Sequence, residues 1–272
     1  MDVDNAKQAL REKIWRLMTE RKIAVFPLPC WGRIPNFVGA EKAAEKLRTV
    51  KEWRKARVIF ANPDAAQRKV RENALKDGKT LIMASPRLKS GYLLITPEKI
   101  RGKEAYASTI KGAFKFGVRV EEFPKPDLVI TGCVAVDAYG NRLGKGGGYG
   151  DAEILMIKDR FGEVPIATTV HPVQIVERVP VKPKDQKIDI VATPKEVIYI
   201  SKAKRHETRK TCKWYAVCPM KRFYEEGKLD RKWIENYCMG NYESCVRYRL
   251  EEKGILHPDN MLPNGEIDES LK

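Results

Sequence analysis

The sequence predicts an α/β fold: a mostly parallel sheet with helices on both faces, followed by a small C-terminal cysteine-rich helical module. Three observations carry this. Short apolar runs rich in β-branched residues, at 58–61, 80–84, 127–136, 166–170, 188–192 and 197–200, alternate with stretches of helical periodicity, the pattern of strands buried on both faces. The chain has 272 residues and 43% hydrophobic content, enough for one sizeable core and an appendage. Four of its six cysteines fall in the last quarter, after a basic run at 202–206, which sets a boundary between residues 1–203 and 204–272.

In order, Ala6, Leu10, Ile14, Leu17 and Met18 form one apolar stripe, so residues 6–20 read as an amphipathic helix. Residues 23–38 carry three prolines in non-periodic order and read as a long ordered loop, and 39–50 as a helix. After the strand at 58–61, Asn62 and Pro63 read as the cap and first turn of a helix that reaches Lys76 and stops at Gly78. The strand at 80–84 is followed by one helix at 104–116, one buried strand at 127–136 and a helix at 152–158. His171-Pro172 sits at a strand end, where open sheets often bind ligands, and equally suits a local turn.

Between that strand and that helix lies Asn141-Arg-Leu-Gly-Lys-Gly-Gly-Gly-Tyr-Gly-Asp151. Glycines let backbone N–H groups approach phosphate oxygens, and a following helix adds the positive end of its dipole. Arg142 and Lys145 add charge, and Asp151 suits a magnesium ion carried by phosphate. The loop is neither a P-loop nor a dinucleotide fingerprint, so a plain glycine bulge is the competing reading.

The net charge of +16 is uneven: residues 204–272 hold 14 Lys and Arg against 12 Asp and Glu, leaving +14 on the preceding part. Such a field favours anionic ligands, whether a nucleotide, a folate or RNA, and also suits a solvated basic surface. No apolar run reaches the roughly 18 residues of a membrane span, and the first residues lack a signal-peptide core, so a cytoplasmic protein is expected.

Cys212, Cys218, Cys238 and Cys245 are spaced C-x5-C and C-x6-C. Clustered cysteines in a cytoplasmic protein point to a zinc ion or an iron–sulfur cluster, with disulfides or reduced thiols as alternatives. His206 lies outside that pattern as a supplementary ligand, and His257 beside Pro258 reads as a turn residue. Cys133 reads as a small buried hydrophobe and Cys30 as a loop residue without an evident partner.

The stretch PDLVITGCVAVDAYGNRLGKGGGYGD resembles the signature of the 5-formyltetrahydrofolate cyclo-ligase (methenyltetrahydrofolate synthetase) family. LREKIWRLMTERKIAVFPLPCWGRIPNFVGAEKAAEKL and ANPDAAQRKVRENALKDGKTLIMASPRLKSGYLLITP extend the resemblance, across residues 7–200, to the methenyltetrahydrofolate synthetase domain-containing branch. It implies a fold shared with sugar-phosphate isomerases and CoA transferases, and ATP- and magnesium-dependent closure of 5-formyltetrahydrofolate, or a related formylated pterin, to the methenyl form. By resemblance, Gly144, Lys145, Gly146, Gly147, Gly148 and Tyr149 hold the nucleotide, Lys145 and Arg142 act at the transferred phosphoryl group, Lys7 and Arg11 contact the nucleotide, and Asp151 binds magnesium. Some relatives join this domain to an RNA-recognition module, which makes a non-catalytic nucleotide- or RNA-binding protein the alternative. An isomerase or transferase on the same fold explains the Gly-Lys-Gly loop poorly. The family's Tyr-Tyr-Asp becomes Tyr149-Gly150-Asp151, its phenylalanine before the loop is replaced around Ala135-Val136-Asp137, and its Glu-Pro segment has no counterpart at Glu121-Glu122-Phe123. Phosphate binding therefore transfers better than pterin binding.

Overall fold

A computed structural model describes residues 2–85, 91–200 and 212–271. The basic run at 202–206, with His206, lies outside them. The chain divides into two compact units, Met1–Lys202 and Ala203–Lys272.

The first unit is built on an eight-stranded sheet. With β1 (Ala24–Val25), β2 (Asn36–Phe37), β3 (Val58–Ala61), β4 (Thr80–Ala84), β5 (Tyr92–Ile95), β6 (Val118–Val120), β7 (Leu128–Ile130), β8 (Ala135–Asp137), β9 (Arg142–Leu143), β10 (Ile166–Thr169), β11 (Ile175–Val176), β12 (Ile190–Ala192) and β13 (Val197–Tyr199), its order is β13-β12-β10-β7-β3-β4-β5-β6. The five strands from β12 to β4 are parallel, and antiparallel strands flank them. Alternation along each parallel strand serves two cores. Ile59, Ala61, Leu81, Met83, Leu128 and Ile130 face one, with Leu47, Trp53, Val70 and Leu75; Phe60, Ile82, Val129, Ile166 and Val191 face the other, with Ile154 and Ile157. Helices therefore cover both faces: α2 (Ala40–Arg48), α3 (Lys51–Lys55), α4 (Arg68–Lys76), α5 (Glu104–Ala107) and α6 (Ile110–Phe116) on the first, α7 (Tyr149–Phe161) on the second.

Several local expectations are corrected. The run at 127–136 is two strands in different sheets: β7 ends at Ile130, the chain turns through Gly132, and β8 joins β9 and β11 in a three-stranded sheet. An apolar run cannot reveal a change of sheet, because both halves are equally buried. The helix expected at 104–116 breaks at Thr109, whose hydroxyl caps a new helix by accepting from Gly112 N. Residues 39–50 continue through Val50 into the separate α3, and the loop at 23–38 carries the short antiparallel pair β1–β2. Asn62 caps no helix; a 3-10 turn over Ala65–Gln67 precedes α4.

The amphipathic α1 (Val3–Glu20) lays Ile14, Trp15 and Met18 against Ile34, Phe37, Val134 and Leu143, forming a third core beside the small sheet. Cys30 belongs to that core and Cys133 to the second, both buried.

The second unit has a modest core around Met220, Phe223, Leu229, Ile234 and Leu262, with α8 (Pro219–Glu225) as one of its short helices. Among the described residues no helix is long and apolar enough to cross a membrane.

Candidate functional site

The carboxyl ends of β3, β4 and β7 open onto a cleft of about 900 Å³. Parallel strands leave their carbonyl ends and following loops on one edge, where open α/β sheets bind ligands. The segment Asn62-Pro63-Asp64 enters from β3, Ser85 from β4, and Thr131 and Gly132 from β7. The glycine loop contributes Gly144, Lys145, Gly147, Gly148, Tyr149, Gly150 and Asp151, and Phe26, Trp31 and Ile34 form an apolar wall.

Arg142 fixes the loop. Its side chain is 3% exposed; Nη2 pairs with Asp151 Oδ2 at 2.7 Å and Nη1 donates to Gly132 O at 3.0 Å, tying the end of β7 to the first turn of α7. Asp151 Oδ1 in turn accepts from Gln186 N at 3.0 Å. This explains the unusual Gly150. A Cβ there would stand 3.1 Å from Arg142 Nη1 and 3.2 Å from Thr131 Oγ1, so a side chain at 150 must displace the buried guanidinium by a few tenths of an ångström. Gly150→Tyr is expected to cost about 1–3 kcal/mol by overpacking, checked by thermal unfolding. An unchanged melting temperature would mean that the loop simply moves aside.

Gly148 precedes α7 at φ 70°, a left-handed conformation that places the helix start toward the cleft. Lys145 Nζ reaches across to Asp64 Oδ1 at 3.0 Å, and its side chain is 42% exposed, open to a competing anion. Arg11 braces the loop from outside, donating from Nε to Gly144 O at 2.8 Å, and partial burial lowers its pKa. Lys7 is buried and paired with Asp185. Of the residues picked out from sequence, the structure brings Arg142, Gly144, Lys145, Gly147, Gly148, Tyr149 and Asp151 to the cleft; Lys7, Arg11 and Gly146 do not line it.

Sequence reasoning missed the opposite wall. Arg71 is fully buried and donates to the carbonyls of Ser108, Asn62 and Asp64, shaping the turn after β3; burial pushes its pKa down to about 10. Asn62 Nδ2 donates to Glu153 Oε2. Glu153 lines the cleft yet is 4% exposed, and desolvation raises its pKa to about 7, the Asn62 hydrogen bond opposing that rise. The one available signal was a charged residue, Glu153, on the buried side of a helix that also carries Ile154 and Ile157. His171 serves its turn: Nδ1 accepts from Val173 N and the ring caps the following 3-10 turn.

Residues 3–194 match the model of the 5-formyltetrahydrofolate cyclo-ligase family. The methenyltetrahydrofolate synthase domain-containing protein of Mus musculus is 40% identical over 205 residues, covering 71% of this chain and 55% of that protein. The 5-formyltetrahydrofolate cyclo-ligase of Escherichia coli is 39% identical over 71 residues, 26% of this chain and 38% of that enzyme. The chain thus spans about half the length of the domain-containing relatives. Among solved structures, the 5,10-methenyltetrahydrofolate synthetase of Aquifex aeolicus aligns with a TM-score of 0.47 at 20% identity, covering 74% of this chain and 93% of that one. RNA binding, the alternative drawn from charge, gains no support from these similarities. Since the family model covers nearly all of the first unit, the chain belongs to the 5-formyltetrahydrofolate cyclo-ligase family.

Proposed function

We propose that the first unit closes 5-formyltetrahydrofolate, or a closely related formylated pterin, to the 5,10-methenyl form at the expense of ATP. The observation that carries the reading is the pairing, in one cleft, of the cationic glycine loop with the apolar wall of Phe26, Trp31 and Ile34. The first suits a triphosphate, the second the flat face of a pterin.

The formyl oxygen attacks the γ-phosphorus and ADP leaves. N10 then adds to the activated carbon and loses its proton, and the C–O bond breaks to release phosphate. No covalent bond to the protein is required, so the chain's task is to position and to neutralise charge. Lys145 meets the phosphoryl oxygens, exchanging Asp64 for them, while Arg142 holds the loop rigid through Asp151 and Gly132. Glu153, with a proton affinity near neutrality, takes the N10 proton.

Magnesium would accompany the triphosphate and offset its charge. Asp151, paired with Arg142 and accepting from Gln186 N at the start of α7, and Asp64, on the facing wall beside Lys145, are the carboxylates that would hold it.

Lys145→Ala is expected to weaken ATP binding about 10- to 100-fold, the loss of one charge-assisted phosphate contact of roughly 1.5–3 kcal/mol. Titration calorimetry measures it, with ATP-dependent appearance of the methenyl chromophore as the activity readout. Unchanged nucleotide affinity in Lys145→Ala would remove the loop from the site.

A further inference from the structure

The second unit brings its four cysteines to one place. Cys218 immediately precedes α8, and Cys245 precedes the helix Val246–Glu251. Cys212 and Cys238 are joined through their backbones, Cys212 N donating to Cys238 O at 2.7 Å. All four line a single cavity of about 150 Å³, walled by Trp214, Tyr215, Met220 and Tyr248.

The structure bears on two of the readings left open by sequence. All four cysteines are free thiols, so none is consumed in a disulfide. Among the described residues no three His, Cys, Asp or Glu side chains are grouped closely enough to hold one metal ion, so a single zinc gains no support at this place. One tetrahedral zinc at Zn–S distances of about 2.3 Å would draw its sulfurs to within about 4 Å of each other and leave no void among them. Here the four cysteines all line a cavity with room for several waters.

The lining carries a second feature that points to an anionic occupant. Arg247 is 2% exposed; its Nη1 donates to the carbonyls of Pro258, Asp259 and Met261, while Nε is buried without a hydrogen-bond partner. Leaving a buried guanidinium N–H unpaired is costly unless something in the cavity accepts from it. His257, whose side chain is 6% exposed, lines the same cavity. Thiolate and sulfide sulfurs of a bound cluster accept such hydrogen bonds, and the net negative charge of a four-thiolate cluster balances a buried arginine.

We propose that Cys212, Cys218, Cys238 and Cys245 ligate a polynuclear iron–sulfur cluster of the four-iron type, with Arg247 as the buried counter-charge. Its role is that of a staple. The unit's core is small, and four metal–thiolate bonds join its separate turns and short helices.

The test uses the full chain, purified without oxygen and without chelators, and measures iron, zinc, acid-labile sulfide and the visible spectrum. About four iron and four sulfide per chain with a broad brown absorption are expected. Cys30→Ser and Cys133→Ser should keep that content, because both lie in cores of the first unit. Cys218→Ser and Cys245→Ser should lose most of it. Should these variants fail to fold, ferrous iron and sulfide added to chelator-stripped wild-type protein answer the same question: the absorption and a rise in the unfolding temperature of the second unit return together. One zinc per chain without iron, or a colourless protein that reconstitution leaves unchanged, overturns the proposal. Neither result bears on methenyl formation by the first unit, so the two readings fail separately.

Discussion

Arg142→Ala should lower the stability of the first unit by about 3 kcal/mol, because it removes one partner of a buried ion pair and leaves Asp151 facing an empty pocket. The figure sits at the low end for buried pairs, since the Asp151 side chain is 24% exposed and can recruit water. Arg142→Lys should recover little, because one ammonium cannot replace the two bonds to Asp151 and Gly132 with the planar fork's geometry. For a unit of this size that loss corresponds to roughly 10 °C in melting temperature. Denaturant unfolding of both variants checks it. A loss below about 1 kcal/mol would show that loop and strand are held together mainly by packing rather than by this pair.

Glu153→Gln should change the pH dependence of both stability and turnover. The folded protein holds the Glu153 proton up to about pH 7, whereas an unfolded glutamate releases it near its ordinary value of 4.5. Between those values the folded state binds more protons, so this group makes stability fall as pH rises from about 4.5 to about 7. Glutamine removes that dependence. The variant should therefore be the more stable by about 2–3 kcal/mol at pH 8, a difference that vanishes below pH 4.5. Turnover should drop about 100-fold or more if Glu153 is the proton acceptor, and the remaining activity should lose its inflection near pH 7. Unfolding curves for the two proteins that run parallel from pH 5 to pH 8 would show that Glu153 is not held protonated at neutrality.

The sequence by itself determined the α/β class, because strands buried on both faces must be apolar throughout and their helices must repeat at 3.6. It also determined the glycine loop, since Gly144 to Gly150 with Arg142, Lys145 and Asp151 is a local pattern, and local patterns survive in one dimension. The clustering of cysteines after residue 211 was legible in the same way. Only the tertiary structure decided which way each charged group faces. The pairing of Asp151 with Arg142 is invisible in the sequence, and Asn62 reads as a helix cap until Glu153, 91 residues away, is seen to accept from it. The split of residues 127–136 between two sheets was hidden for the same reason: burial is equal on both sides of the turn, and only strand pairing separates them. Nor could spacing say that all four cysteines line one cavity. Contacts between residues far apart in the chain leave no periodicity behind, and the roles of the buried polar groups rest on such contacts.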